Sequence, residues 1–166
     1  ALAVVILTNE DDCSAASNTL FDAGDSSLGP YSSYRCFQYG VLCSGKKPPL
    51  EATLLANCAP GQSWLHGVNT TYASFLKSLK PPGWVSVLVL ASTPDNTTQV
   101  VKEKYGSKGY YVMPSCQLGG YVQGTPAFRL DSFVGAMGSR GVFSTICSTS
   151  YAKALSSLLL RIQSAF

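Results

Sequence analysis

The residues best able to do chemistry gather early in the chain, in the run Asn9-Glu10-Asp11-Asp12-Cys13 directly after the apolar stretch Leu2–Leu7. Glu10, Asp11, Asp12, Asp22 and Asp25 place five of the nine carboxylates within the first 25 positions. Oxygen ligands of this kind suit Mg²⁺ or Ca²⁺, and paired carboxylates can also serve glycoside hydrolysis. The adjacent acids of "EDD" offer no basis for separate acid and base roles. The plainer account is that acids following a strand accept backbone N–H groups in the turn. His66, in "SWLHG", is the single histidine, so any Ser-His or Cys-His arrangement has to use it. No G-x-S-x-G elbow occurs, and "CSGKKPP" lacks the glycine spacing of a phosphate-binding loop. A surface or packing role is therefore expected for His66, and no catalytic residue is assigned.

Six cysteines, Cys13, Cys36, Cys43, Cys58, Cys116 and Cys147, include no CxxC pair. With one histidine in the chain, a short-spaced tetrahedral zinc site is poorly supported. Three disulfides formed in an oxidising compartment fit better, which predicts a secreted, periplasmic or cell-surface location; spacing alone leaves the pairing open. Asn69-Thr70-Thr71 and Asn96-Thr97-Thr98 are glycan acceptor triplets if the source is eukaryotic.

The elements that must position these groups are constrained by length and composition. A chain of 166 residues has room for one domain with a real core, so a single domain spanning 1–166 is expected. Charged residues make up only 13%, against about 25% in an ordinary soluble domain, which favours a protein that rests against something. The net charge of +3 is scattered, with no run longer than Lys46-Lys47, so nucleic acid is not an expected partner. No apolar segment approaches the roughly 20 residues of a membrane helix.

Leu2–Thr8 is a continuous apolar, β-branched run, the pattern of a central parallel strand buried on both faces. From 9 to 67 the composition turns to Gly, Ser, Pro and Asn with four cysteines, which reads as a disulfide-stapled insertion. Within it Tyr31, Tyr34, Phe37 and Tyr39 could line a sugar or protein contact, although packing of the insert explains them more simply. "TYASFLKSLKPPGW" predicts a helix stopped by Pro81-Pro82, and "WVSVLVLAS" a buried strand. "TTQVVKEKYG" is read as a short helix, "YYVMPSC" as extended, "PAFRLDSFVGAMG" as a helix and "GVFSTIC" as a strand. The last segment predicts a helix with Tyr151, Leu155, Leu158, Leu159, Ile162 and Phe166 on one stripe and Ser148 or Ser150 as N-cap. Strand alternating with helix gives an α/β class: a three-layer, doubly wound, mainly parallel sheet.

In order, "AVVILTNEDDCSA", "LFD", "YRCFQYGVLC", "FLKSLKPP" with "VSVLVLAS", "PAFRLDSFVGAMG" and "STICSTSYAKAL" resemble the second half of bacterial exported proteins with a von Willebrand factor type A-like domain and a cysteine-rich insertion. The resemblance implies that Ala1–Thr8 is the fourth strand of such a sheet, beside the crevice at its switch point. It also implies that strands one to three, with the family's DxSxS cation loop, are not in this stretch. Asn9 matches the family's aspartate after the fourth strand, and an amide adds no charge for Mg²⁺ or Ca²⁺; Asp11 and Asp12 stand nearby as further oxygen donors.

The function expected is a non-enzymatic extracellular binding, adhesion or assembly module whose metal-dependent adhesion site is incomplete in this chain. Another chain, another copy or another part of the polypeptide is expected to cover the edge formed by Ala1–Thr8. A structural subunit of a surface assembly and a small secreted hydrolase using His66 or the "NEDD" acids are the alternatives.

Overall fold

A computed structural model describes residues 1–102 and 109–165. In chain order they form β1 (Leu2–Leu7), α1 (Tyr34–Gly40), β2 (Val41–Cys43), β3 (Thr53–Ala56), β4 (Cys58–Pro60), α2 (Ser74–Ser78), β5 (Val85–Ala91), β6 (Thr97–Lys102), β7 (Tyr110–Val112), β8 (Cys116–Leu118), β9 (Val122–Gly124), α3 (Phe128–Met137), β10 (Gly141–Thr145) and α4 (Ala152–Gln163). The class is mixed α/β with a short parallel sheet and three disulfides. The chain divides into two compact units.

The first unit takes Ala1–Asp11, Gly67–Pro94 and the chain from Pro114 on. Its sheet has the order β1-β5-β10, parallel throughout, with Val5 beside Leu88 and Leu7 beside Leu90. Every residue of β5 is buried, which is why "VSVLVLA" shows no alternation. Burying Val87, Leu88 and Val89 completely stabilises the unit by roughly 1.5–3 kcal/mol each before entropy is counted. One face of the sheet carries Leu2, Val4, Ile6, Val87 and Val89 against Leu130, Phe133 and Met137 of α3. The other carries Leu88, Leu90 and Val142 against Ala154, Leu158 and Ile162 of α4. The β8–β9 hairpin turns through Gly119 and Gly120, both at positive φ, and Cys116–Cys147 ties it down.

Two expectations are corrected in this unit. β1 is an edge strand with one half-buried and one exposed face, because among the described residues only β5 pairs with it. On α4, the residue at the N-cap position is Tyr151, and Leu155 and Leu159 are 50% and 53% exposed, since the buried stripe runs through Ala154 and Leu158. Phe166, placed on that stripe from sequence, lies outside the described residues.

The second unit takes Asp12–His66 together with Asp95–Met113. The later segment joins because β6 pairs antiparallel with both β3 and β7. Here Thr97–Lys102 is a strand, where a helix was expected; its β-branched residues suit the pleat, and Lys104 and Tyr105 of that expected helix fall outside the described residues. α1 leads into β2, which pairs with β4 through a register that sets Cys43 opposite Cys58, the disulfide partner. Cys13–Cys36 fixes α1 to the unit's start.

Tyr34, Val100 and Val112 form one core with Phe37, Leu55 and Tyr110, and Leu20, Leu28, Tyr39 and Leu65 form another. Tyr34, Phe37 and Tyr39 are thus packing residues, while Tyr31 is 63% exposed. Burial pushes the Tyr34 phenol well above its ordinary pKa, and its hydroxyl donates to the Pro49 carbonyl at 2.8 Å. The Thr98 hydroxyl is buried without a hydrogen-bond partner. Thr98→Val keeps the shape and removes that orphan, so it should raise stability by about 1 kcal/mol in chemical denaturation. A variant less stable than the parent would show that the hydroxyl has a partner after all.

Candidate functional site

The open side of β1 is the site the fold leaves unfinished. The Leu2 N–H donates to the Trp84 carbonyl and the Thr8 N–H to the Leu90 carbonyl, so the even-numbered residues of β1 point their backbone groups at β5. Alternation then turns the N–H and C=O groups of Ala3, Val5 and Leu7 outward, with no strand beside them among the described residues. Their side chains share the α4 face of the sheet, as the register with Leu88 and Leu90 requires. Val5 is 51% and Leu7 62% exposed.

α4 packs mainly on β5 and β10 and leaves Val5 and Leu7 about half exposed. Leu155 and Leu159 sit one residue beyond the buried Ala154 and Leu158. Helix sense and right-handed crossovers turn them toward the β1 flank. On the helical wheel Lys153 and Arg161, the charged residues of α4, fall on the opposite flank. The result is an uncharged trough floored by Val5 and Leu7 and walled by Leu155 and Leu159, beside a row of unpaired backbone groups.

At the carboxyl ends of the strands, where open α/β sheets place ligands, this unit is filled. The Thr125 N–H donates to the Asn9 carbonyl at 2.9 Å. A Cβ on Gly124 would come within 2.8 Å of Ser92 Cβ and 3.3 Å of the Asn9 carbonyl, so only glycine lets the chain pass this close. Ser115 Oγ lies 2.8 Å from the Thr93 carbonyl and 2.6 Å from the buried Ser92 Oγ; if the Ser115 proton goes to the carbonyl, Ser92 is the donor between the two hydroxyls.

The acids singled out from sequence hold protein donors. The Asp11 carboxylate accepts the N–H groups of Arg129 and Leu130 at 2.9–3.1 Å, the second and third residues of α3. Ala127, at the N-cap position, has no side chain able to do this, so a residue 118 positions away supplies the cap. Asp11→Ala should cost about 1–2 kcal/mol by thermal or urea unfolding, with Asp11→Asn recovering part of it. Equal loss in both variants would mean the carboxylate's negative charge, and not hydrogen bonding, carries the clamp.

Asp12 accepts the N–H and hydroxyl of Ser14. Asn9 is exposed and contributes its backbone carbonyl to Thr125. These are the contacts of a helix clamp and a short turn, a donor set that does not fit a divalent-cation cage, and no group of three or more His, Cys, Asp or Glu able to hold a metal occurs among the described residues. His66 donates its backbone N–H to the Ser14 carbonyl. Asn69 is exposed and its side-chain amide donates to Ser132 Oγ; Asn96 is exposed ahead of β6. No helix among the described residues is long and apolar enough to cross a membrane.

Sequence reasoning passed over Leu155 and Leu159 as outward-facing residues. Nothing in the local pattern marked them, since Tyr151, Leu155, Leu158 and Leu159 span about 100° of the helix, the usual width of a buried stripe. Set against protein-family models, curated proteins and solved structures, the chain matches none of them.

Proposed function

We propose that this chain is an exported, non-enzymatic binding module of the von Willebrand A-like type, and that it works by accepting a strand-plus-helix segment at β1. The observation that carries the reading is the outer edge of β1: three residues with outward backbone groups, no charge, no proline and no bulge, beside the half-exposed Val5 and Leu7. Edges left free in stable proteins are usually blunted by such devices, and their absence marks a pairing surface. The occupant's chemistry follows from the surface. Its strand has apolar residues at alternate positions to continue the Val5–Leu7 face, and its helix carries an apolar stripe against Leu155 and Leu159. An all-parallel sheet and three disulfides are compatible with this reading and with a secreted protein.

Amide hydrogen exchange on the monomer, followed by NMR, tests it. The amides of Ala3, Val5 and Leu7 should exchange freely while those of Val4 and Ile6 are protected. Protected outward amides in a monomer would mean that β1 is no free edge. Exchange that slows only with rising protein concentration would name a second copy as the occupant in place of a foreign segment.

A further inference from the structure

A separate feature lies at the opposite end of the parallel strands. A cleft of about 550 Å³ opens at the amino end of β5, with Lys77, Pro81, Pro82, Val85, Met137 and Arg140 among its lining residues. That volume falls in the range of small-molecule sites, and the lining matches their usual make-up of apolar walls with a few polar groups. Val85 and Met137 are 3% and 4% exposed, so the floor is a rigid part of the core. No carboxylate lines the cleft.

The cations are held in place and keep donors to spare. Lys77 Nζ donates to the Ala136 carbonyl at 2.6 Å, leaving two further N–H groups. Arg140 uses Nη1 on the Arg161 carbonyl and on Ser164 Oγ. Its Nη2 stands 3.1 Å from where a Cβ on Gly83 would be, so glycine at this positive-φ turn makes room for the guanidinium. Nε and Nη2 of Arg140 meet no acceptor among the described residues. Anchoring by one set of bonds while a second set stays open is what pre-organises a binding group.

The unit's three acids, Glu10, Asp11 and Asp131, all lie at the carboxyl end of the strands; of its cations, Arg129 and Lys153 lie at that end too, and Lys77, Lys80, Arg140 and Arg161 lie at the amino end, where no acid accompanies them. Lys77 answers the Ala136 carbonyl in the last turn of α3 and Arg140 the Arg161 carbonyl in the last turn of α4, and both residues also line the cleft.

We infer that this cleft binds a small organic anion, a carboxylate with a short apolar body, the carboxylate on Arg140 and Lys77 and the body on Pro81, Pro82 and Met137. The inference stands apart from the β1 reading, and neither depends on the other.

The test is an NMR titration of the ¹⁵N-labelled chain with sodium hexanoate at constant ionic strength, with sodium acetate and hexylammonium chloride as comparisons. Hexanoate should saturate with a Kd on the order of 1 mM, moving the amides of Gly83, Val85, Met137 and Ser139, and acetate should bind about tenfold more weakly. Arg140→Gln and Lys77→Gln should each weaken hexanoate about tenfold. If Arg140→Gln unfolds, the exposed Lys77→Gln carries the test alone. No saturable shift, equal binding of hexanoate and acetate, equal binding of hexylammonium, or full affinity in Lys77→Gln would each overturn the inference.

Discussion

Replacing Arg35 with methionine is expected to cost about 3–5 kcal/mol and to release the 18–30 loop. The guanidinium is 2% exposed and spends all five N–H groups on backbone carbonyls: Nε on Pro30, Nη1 on Leu20 and Asp22, and Nη2 on Asp25 and Gly29. In this segment rich in glycine and serine only Leu20 and Leu28 reach a core, so these bonds carry much of what holds the rest of it. Removing the side chain leaves five carbonyls to find water or stay orphaned, and each orphan costs about 1–3 kcal/mol before relaxation. Arg35→Lys should be nearly as damaging, because an ammonium has three donors and no planar fork. Asp25 is a control. Its carboxyl is held below the usual range by the Ser27 hydroxyl and N–H, and secondarily by Arg35, but its side chain is not among the five acceptors. Asp25→Asn should therefore leave the loop in place. The checks are urea unfolding and hydrogen exchange over Ser17–Pro30; a methionine variant within 1 kcal/mol of the parent, with unchanged exchange, would show that Cys13–Cys36 alone secures this region.

Gly141→Ala is the second large effect. Gly141 opens β10 with ordinary extended dihedrals, so the reason for glycine there is space. A Cβ would lie 2.4 Å from the Val134 carbonyl oxygen and 2.8 Å from Val134 Cγ1. The first of these is backbone in the middle of α3 and cannot rotate away, so helix and strand must separate. A shift of that kind costs about 2–4 kcal/mol, above an ordinary overpacked site, because β10, α3 and β5 share one core. Thermal unfolding should show a drop on the order of 10 °C. Val134→Ala added to Gly141→Ala should not rescue the loss, since the carbonyl would remain; rescue would locate the clash in the side chain.

Much of the fold was legible because the periods are strong. The runs at β5 and β10, the helix of "PAFRLDSFVGAM" and the C-terminal helix follow from local pattern: β5, buried along its whole length, has no polar face to obscure it, and the two helices repeat their apolar residues at helical spacing. The stop at Pro81-Pro82 and the turn at Gly138 follow from backbone chemistry alone. α1 and the short strands of the second unit were not legible. Three- and four-residue strands among cysteines and turns have no period to detect, and β6 is held as a strand by pairing with β7 and with β3, the latter more than 40 residues earlier in the chain.

For the site, residue type was informative and residue role was not. "EDDCS" marked a constrained position, but only the tertiary structure turns Asp11 onto the amides of α3, because the partner is 118 residues away. The cysteine count implied three bridges and left their pairing to the fold. β1 shows the limit most clearly. An apolar, β-branched run states by itself that a strand forms, whereas its number of neighbours depends on what else reaches the sheet. Composition determined that this protein has strands, helices, bridges and little charge. Packing decided which apolar side chains are core and which, like Val5, Leu7, Leu155 and Leu159, are left facing outward, since burial belongs to pairs of surfaces and not to a single stretch of chain.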